Sequence, residues 1–413
     1  MLARASALAL VAAAAAAPAA GAAPWSAPRS VAVSGAPSQP AVALGGPDTA
    51  AVAYSRNAGR GGRIELRQGT VDRLGRPVIV DRDARHGLDS PALTFSGHVA
   101  LLAWRHFQAP DARVIELASV SRGRVVSGPR AMTGPPNAHE PAFPNPQLLT
   151  FWRRKAAYVR TIEDRRPGVT TRLPRGAAFE SQVAALPDGT RVAVWPAGGA
   201  IYAATQAPGA IAFDAPVRLS APGGFARSPQ LVVTIDGHAV ALWAQAGGGG
   251  RALVSASRAP GGAFGPPIQL TSPAANAFAV RGVATAAGDV FVTFVSTAQT
   301  FGAGPLQALR VAPDGHGSLP QTLTPPGERT RDAALAADSG AAYATWATAG
   351  RVSRHSIRVV RVAGSVVGTV RTLSGRANVV SQPPAFAMTP RGRALLAYMV
   401  RPGGIQLVTR RAG

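Results

Sequence analysis

The chain has 413 residues, of which 46% are hydrophobic and only 15% are charged, a composition that supports a packed core and excludes a coiled coil or a charged, disordered chain. It contains no cysteine, which excludes disulfide bonds, thiolate zinc sites, iron–sulfur clusters and a cysteine nucleophile. The formal net charge is +23, and Lys155 is the only lysine, so the excess is carried by arginine. No basic block reaches five or six residues, so we interpret the arginines as a solvated surface and do not predict a nucleic-acid partner.

The N-terminal segment has the three-part pattern of a secretory signal peptide. Arg4 precedes an apolar stretch over residues 5–17, and Ala20-Gly21-Ala22 fits an A-x-A cleavage site. A membrane anchor is disfavoured, because Pro18 interrupts an alanine-rich run that is shorter than the ~20 apolar residues of a span. We therefore predict a signal peptide over 1–23 and a secreted mature chain without a lipid-modified cysteine.

One sequence unit recurs from about Ser38 to the C-terminus, and its clearest copies span 179–220 and 227–271. Each copy consists of a short apolar strand, a tight turn, a strand that ends in Trp, a Gly-rich loop, a third strand, a Gly-Pro turn and a last strand. No sustained helical period occurs beyond the signal segment. Four strands in each repeat predict an all-β fold, a single β-propeller over 24–413.

An aromatic residue closes the second strand of every copy, and the steps between these aromatics average about 49 residues. Alternate side chains in 191–195 and 239–243 share a face, and both faces are apolar, as expected for a strand packed between two other sheets. We predict that the aromatics form the structural core of the repeat. They are Tyr54, Trp104, Trp152, Trp195, Trp243, Phe294, Trp346 and Tyr398.

The two ends of the chain predict how the ring closes. The last copy supplies only three strands, and segment 25–33 resembles the fourth strands at 215–219 and 266–270. The N-terminal strand would complete the last blade and leave no open sheet edge. We therefore predict eight four-stranded blades, with seven as the alternative because the third copy is short. The predicted blades span 38–81, 89–133, 139–174, 179–220, 227–271, 276–324, 330–374, and 381–413 plus 25–33.

The turn after the third strand of the fifth copy resembles a degenerate Asp-box. In the segment 257–264, Ser257, Gly261 and Phe264 match the pattern S-x-D-x-G-x-[ST]-[WF], whereas Ala259 replaces the aspartate; segment 205–213 is a looser copy. The repeat is thus similar to those of the sialidase-like (BNR-type) propellers, in which such boxes are structural. The resemblance implies a propeller and leaves the chemistry open. We predict a non-catalytic member, because the arginine motif of catalytic sialidases has only a faint counterpart at 172–174.

Motifs for metal or cofactor chemistry are incomplete. The stretch 81–92 begins like a calcium loop, but Arg85, His86 and Ala92 stand where such a loop has a ligand, a glycine and a glutamate. The seven histidines do not fall at metal-ligand spacing, and no phosphate-binding or dinucleotide-binding glycine motif occurs. The sequence therefore predicts neither a metal nor a cofactor.

Polar residues stand where the innermost strand of most predicted blades begins, at the mouth of the central channel. Several precede a proline, which suits the first residues of a strand. Together they would form a mixed-charge ring suited to a small polar ligand or a glycan, and the alternative is a hydrated rim without a ligand. The predicted rim residues are Asp89, Glu140, Glu180, Arg227, Arg331, Asp332 and Gln382.

These features predict a secreted, monomeric propeller that binds a glycan, an anionic cell-envelope polymer or a protein, and we assign no catalytic residue. The alternative is a sialidase-like glycoside hydrolase or lyase that works at the channel mouth through Glu140, Glu180 or Asp332. Two carboxyls about 5–9 Å apart beside an arginine cluster would favour the enzyme, whereas scattered carboxyls in single salt bridges would favour the binding module.

Overall fold

The computed structural model describes residues 24–32, 36–46, 48–58, 61–109, 112–134, 137–177, 180–297, 302–349, 355–375 and 377–412. Within these ranges the chain forms eight antiparallel sheets and one 3-10 helix, Pro273–Ala275. None of the described segments forms a helix that could cross a bilayer. The predicted signal peptide lies outside the described residues.

Each sheet is one blade, and the first four blades follow one another in chain order. Their strands are β2 (Ala36–Pro37), β3 (Ala41–Leu44), β4 (Ala50–Ala58), β5 (Gly61–Gly69) and β6 (Val78–Asp83) in blade 1; β7 (Leu88–Ser96), β8 (Val99–Ala109), β9 (Ala112–Ser121) and β10 (Arg124–Ala131) in blade 2; β11 (Ala138–Asn145), β12 (Leu148–Arg153), β13 (Ala156–Glu163) and β14 (Arg166–Arg172) in blade 3; and β15 (Gln182–Ala185), β16 (Arg191–Ala197), β17 (Ala200–Gln206) and β18 (Val217–Arg218) in blade 4.

The second half of the chain forms the remaining four blades, and the last of them also takes in the N-terminal strand. Their strands are β19 (Ala226–Val233), β20 (Ala239–Gly247), β21 (Gly250–Arg258) and β22 (Ile268–Gln269) in blade 5; β23 (Ala277–Ala284), β24 (Val290–Ser296), β25 (Leu306–Val311) and β26 (Gln321–Thr322) in blade 6; β27 (Ala334–Ala337), β28 (Ala342–Ala347), β29 (Ile357–Ala363), β30 (Val366–Val367) and β31 (Arg371–Thr372) in blade 7; and β32 (Ala385–Met388), β33 (Ala394–Val400), β34 (Gly404–Arg410) and β1 (Arg29–Ala32) in blade 8.

The eight blades form a closed ring. Consecutive strands pair from the innermost to the outermost position, and the inner strands of neighbouring blades contact each other around the whole ring, from β3 to β32 and back to β3. The inner strand of blade 1 is split into β2 and β3, and the outer strand of blade 7 is split into β30 and β31. Blade 3 has all four strands, so the prediction of eight blades is confirmed and the seven-bladed alternative is wrong.

The N-terminal strand closes the ring, as the sequence predicts. β1 pairs antiparallel with β34, and Arg29 lies opposite Leu407. Upstream of β1, the Ser26 N–H donates to the Thr409 carbonyl (2.8 Å), and the Thr409 N–H donates to Ser26 Oγ (3.0 Å). Blade 8 therefore has its fourth strand, and the edge of β34 is covered.

The hydrophobic core lies between adjacent blades rather than in one central mass. In β20, Ala241 and Trp243 pack with residues of blade 4, whereas Val240 and Leu242 pack with residues of blade 6. Because successive side chains of a strand point to opposite faces, a strand between two blades must be apolar on both faces. This explains the continuous apolar runs at the second strand of each repeat.

Seven of the eight repeated aromatics are at most 2% exposed. They are Tyr54, Trp104, Trp195, Trp243, Phe294, Trp346 and Tyr398. Trp152 differs from the prediction of a buried core residue, because it is only partly buried and lines a cavity near the channel mouth. Its indole stacks on the His139 ring with centroids 4.2 Å apart, where the other copies pack against apolar side chains.

The turn that resembles an Asp-box is a tight hairpin connection. Gly261 has a φ of +69°, which glycine adopts without strain, and the Gly265 N–H donates to the Ser257 carbonyl (2.8 Å). Phe264 packs against the core between blades 4 and 5. This turn follows the third strand and lies near the Gly237 turn, at the end of the propeller opposite the starts of the inner strands.

Candidate functional site

The inner strands of blades 2 to 6 share an unusual backbone at their mouth end. A non-glycine residue there has a φ between +48° and +64° in each blade. In four of these blades the register with the second strand also shifts at this point, which marks a β-bulge. Left-handed residues other than glycine cost about 1–2 kcal/mol each, and bulges redirect side chains near functional sites. The five residues are Ser90, Glu140, Glu180, Ser228 and Ala279.

A cavity of about 600 Å³ opens where these strand ends converge, and its lining comes from blades 3 to 7. Five of the seven predicted rim residues line it: Glu140, Glu180, Arg227, Arg331 and Asp332. A smaller cavity of about 170 Å³ adjoins it between blades 3 and 4, and the two glutamates line both cavities. The sequence prediction therefore identified five of the residues that line these cavities.

The other two predicted rim residues lie outside these cavities. Asp89 is held by Arg105, whose Nε and Nη2 donate to the two carboxylate oxygens at 2.7 and 2.6 Å. Gln382 is exposed at the approach to blade 8 and lines neither cavity. The structure thus places five of the seven predicted rim residues together, on the side of the ring formed by blades 3 to 7.

Aromatic and cationic side chains complete the cavity wall. Phe225 is 52% exposed, and the Arg227 guanidinium lies over its ring at 4.8 Å from the centroid. Phe278 and Arg281 also line the cavity. Arg331 is exposed and makes no hydrogen bond or ion pair with any described residue, so its guanidinium is free to bind a ligand.

The three carboxyls of the cavity have different environments. Glu180 Oε2 accepts the backbone N–H of Ser228 at 3.2 Å, which connects blade 4 to the bulge of blade 5. Asp332 forms an ion pair with Arg281, yet burial raises the pKa of Asp332. Partial burial and then the charge of Glu180 raise the pKa of Glu140, and Trp152 and Arg105 act in the opposite direction.

A cluster of two arginines and one histidine lies beside Glu140, and we call it the arginine–histidine cluster (Arg105, Arg113 and His139). Arg105 Nη1 lies 3.0 Å from His139 Nδ1, and Arg113 Nη1 lies 3.3 Å from His139 Nε2. Burial, followed by the charges of the two arginines, lowers the pKa of His139, so the ring is neutral at neutral pH.

The arginine–histidine cluster has more donors than acceptors. A neutral imidazole has one lone pair, so His139 can accept a hydrogen bond from only one of the two guanidiniums. Arg113 Nε is also buried, and none of the described residues accepts a hydrogen bond from it. An anionic group that entered the cluster would supply the missing acceptors and offset the charge of Arg113, since Arg105 is already paired with Asp89.

Sequence reasoning missed Arg105, Arg113, His139, Phe225 and Arg281. One of them carried a usable signal, because His139 stands directly before the bulged residue of its blade, as Asp89 and Arg227 do in theirs. The two arginines of the cluster come from the second and third strands of blade 2, and no spacing along the chain relates them to the mouth of blade 3.

No protein-family model matches the chain, and no curated protein matches it. The structure of the Dos1 propeller matches with a TM-score of 0.55 and 10% identity over 93% of this chain and 94% of that chain. An ulvan lyase, a polysaccharide lyase designated PL25, matches with a TM-score of 0.48 and 10% identity over 92% and 93% of the two chains. A subtype N10 neuraminidase-like protein matches with a TM-score of 0.41 and 8% identity over 79% and 94%. At such identities the Dos1 match shows the propeller fold alone.

Proposed function

We propose that the protein is a secreted binding propeller that holds an acidic glycan at the mouth of its central channel. The arginine–histidine cluster carries this proposal, since Arg113 Nε is buried without an acceptor among the described residues and His139 stacks on Trp152, which lines the smaller cavity. The cavity volume falls in the range of about 300–1,000 Å³ typical of small-ligand sites. Export, and membership of the sialidase-like propellers, are part of the same proposal.

Each part of the site suits one feature of an acidic saccharide. The planar guanidinium of Arg113 matches a carboxylate or a sulfate group, and Arg105, whose Nε and Nη2 are held by Asp89, adds Nη1. The exposed face of Phe225 and the partly exposed Trp152 suit the apolar face of a sugar ring. Glu140 and Glu180 can accept hydrogen bonds from sugar hydroxyls. A saccharide that carries both acidic groups and hydroxyls would contact all three parts of the site at once.

Two of the four carboxyls near the mouth are held in single ion pairs, which supports binding, and the other two leave glycoside hydrolysis as the alternative. Asp89 and Asp332 are each committed to one arginine, Arg105 and Arg281. One oxygen of Glu180 accepts the backbone N–H of Ser228, which fixes the orientation of its carboxyl group. Hydrolysis needs one protonated and one ionised carboxyl on either side of a glycosidic bond, and Glu140 and Glu180, which line both cavities, are the pair that a hydrolase would use.

One observation favours a second candidate, a lyase that acts on a uronate at the same place. His139 is neutral and lies between two guanidiniums, so a carboxylate bound there would place its neighbouring C–H near a base. In a β-elimination, His139 would take that proton, the C–O bond to the leaving sugar would break as the double bond forms, and protonated Glu140 would supply a proton to the leaving oxygen.

The test is titration calorimetry of the mature chain with uronate-bearing, sulfated and neutral polysaccharides at two salt concentrations. We expect binding to acidic polymers, and Arg113→Ala should weaken it about tenfold or more, because a charged hydrogen bond is lost. Arg124→Ala on the outer strand of blade 2 removes the same charge from an exposed position away from the mouth and should change little. Equal losses in both variants would mean general attraction to a chain of charge +23, and would refute the site.

The same mixtures separate binding from catalysis. New ultraviolet absorbance from an unsaturated uronate would identify the lyase, and it should disappear in His139→Ala. New reducing ends without that absorbance would identify a hydrolase. Binding of the intact polymer with neither product is the result that the binding proposal predicts.

A further inference from the structure

Three side chains that commonly bind metals converge between blades 1 and 2, away from the cavity. Asp83 ends β6, His86 lies in the following turn, and His106 lies in β8. Asp83 Oδ2 is 2.9 Å from His86 Nδ1 and 2.9 Å from His106 Nε2. The three ligand atoms lie within 4.8 Å of one another, so one ion could reach them all.

The carboxylate is oriented by the backbone. Asp83 Oδ1 accepts the N–H groups of Arg85 (2.7 Å) and His86 (3.0 Å). These two bonds fix the oxygen that is not directed at the histidines and leave Oδ2 directed at both rings. The turn 83–86 therefore presents an oxygen and a nitrogen ligand in a defined geometry, and His106 adds the third ligand from the next blade.

A further carboxylate orients the third ligand. Glu116 Oε1 lies 3.2 Å from His106 Nδ1, and Glu116 Oε2 is buried without a hydrogen-bond partner among the described residues. A carboxylate that accepts the Nδ1–H of a metal-binding histidine fixes its tautomer and strengthens it as a ligand. With the proton on Nδ1, the Nε2 lone pair would face the lone pairs of Asp83, an arrangement that needs a cation between them.

We propose that Asp83, His86 and His106 form a binding site for a divalent transition metal, with zinc as the first candidate. Two imidazoles and one carboxylate are a donor set that zinc uses, with water in the fourth position. The His86 side chain is 36% exposed and that of Asp83 is 21% exposed, so an ion can enter from solvent. A bound ion would link the outer strand of blade 1 to the second strand of blade 2.

The competing occupant of this site is a proton. Glu116 and Asp83 raise the pKa of His106 to about 9, and an imidazolium would bridge the two carboxylates without a metal. The two occupants differ in the role of His86, because a proton on His106 needs no second histidine, whereas the metal site loses a ligand without it.

The experiment uses the full mature chain, without a polyhistidine tag, after treatment with chelator and dialysis. Calorimetric titration with ZnCl₂ should give one site per chain. His86→Gln and His106→Gln should each weaken binding at least tenfold, and Glu116→Gln by roughly tenfold, the usual effect of losing the group that orients a ligand. Titration with CoCl₂ should give the visible absorption bands of a nitrogen- and oxygen-bound ion.

The matched control is His238→Gln. His238 Nδ1 lies 3.0 Å from Asp236 Oδ2, so the control removes a histidine–aspartate pair of the same kind that belongs to no cluster of three such ligands among the described residues. Zinc should raise the thermal midpoint of the wild type and of His238→Gln, but not of His86→Gln. His86 is substantially exposed, so its variant keeps the fold. The absence of saturable binding, or equal affinity in His86→Gln and His238→Gln, would overturn the site and leave the proton bridge.

Discussion

At the residue scale, Asp332 shows how a charged group can be both useful and destabilising. About a fifth of its side chain is exposed, and it pairs with Arg281 at the cavity wall. Burial still raises the pKa of Asp332 above its ordinary value, so the loss of solvation outweighs the attraction of the arginine. Such groups at a cavity are candidates for binding because a ligand can offset their cost.

The raised pKa predicts how Asp332 affects stability. The folded protein binds the proton more tightly than the unfolded chain does, so stability falls as the pH rises from the ordinary aspartate pKa of about 3.9 through the raised value. We expect Asp332→Asn to have a higher thermal midpoint than the wild type at neutral pH, and the difference to vanish below about pH 4. Thermal melts followed by circular dichroism across this pH range measure it.

The control for this prediction is Asp289→Asn. Asp289 pairs with Arg310 at 3.2 Å, and both side chains are more than a third exposed. An exposed pair of this kind contributes about 0–1 kcal/mol, so the variant should differ little from the wild type at any pH. A lower midpoint for Asp332→Asn at neutral pH would show that its pairing with Arg281 dominates over its burial.

Trp152 illustrates why the repeat predicts positions better than environments. It occupies the same place in its blade as the buried tryptophans. Its exposure is decided by the neighbour it meets, the His139 ring, and that ring is held by arginines of blade 2. A repeat defined by one aromatic position carries no information about the residue that lies opposite it on the neighbouring strand, which is His139 in this blade.

At the scale of elements, the bulges at the mouth predict a contrast between two alanines of β23. Ala279 has a φ of +48°, a conformation that costs a non-glycine residue about 1–2 kcal/mol. Glycine removes this cost, but it loses more conformational entropy on folding than alanine does, which destabilises the protein by about 0.5–1 kcal/mol. Ala279→Gly should therefore be neutral or stabilising by up to about 1 kcal/mol. The shift of the urea unfolding midpoint measures the effect.

Ala277, two residues earlier in the same strand, is the matched control. It is fully buried and does not have a positive φ. Ala277→Gly should therefore destabilise the protein by about 1–2 kcal/mol, through the added chain entropy and the lost methyl group. Equal destabilisation by both substitutions would mean that the bulge at Ala279 does not persist in solution.

The elements of the fold follow from the sequence, and the composition of the site follows only in part. An aromatic strand end recurs once in each blade, and a glycine stands six residues before it in five of them, so their period gives the strands, the ring and the place where inner strands begin. Because the mouth lies at those strand starts, Glu140, Glu180, Arg227, Arg331 and Asp332 could be predicted from position alone.

The remaining site residues depend on contacts between different blades. The arginine–histidine cluster joins β8 and β9 to β11, and the proposed metal site joins β6 and the turn after it to β8. The calcium-loop pattern covers ligands within one short stretch of sequence. It therefore includes Asp83 and His86 but not His106. Side-chain direction across a blade interface depends on packing, and a periodic pattern does not encode it.

At the scale of the whole molecule, the closure at blade 8 holds the ring together. The Arg29 guanidinium of β1 donates to the carbonyls of Val71 and Asp72 in the segment that joins β5 to β6. Val31 is buried in the core between blades 8 and 1. The N-terminal strand therefore completes blade 8 and also fastens it to blade 1, across the only junction where the two ends of the ring meet.

This double role predicts the effect of removing residues 24–32 from a chain that comprises residues 24–413. The deletion would expose the edge of β34, Gly404–Arg410, and an uncovered strand edge pairs readily with other chains. We expect a lower thermal midpoint and association that increases with protein concentration, measured by light scattering after size-exclusion chromatography. A synthetic peptide of residues 24–32 should restore both the midpoint and the monomer, because it can pair with β34 in trans, whereas a scrambled peptide should not. A truncated chain that stayed monomeric with an unchanged midpoint would show that contacts between the inner strands β3 and β32 are sufficient to close the ring.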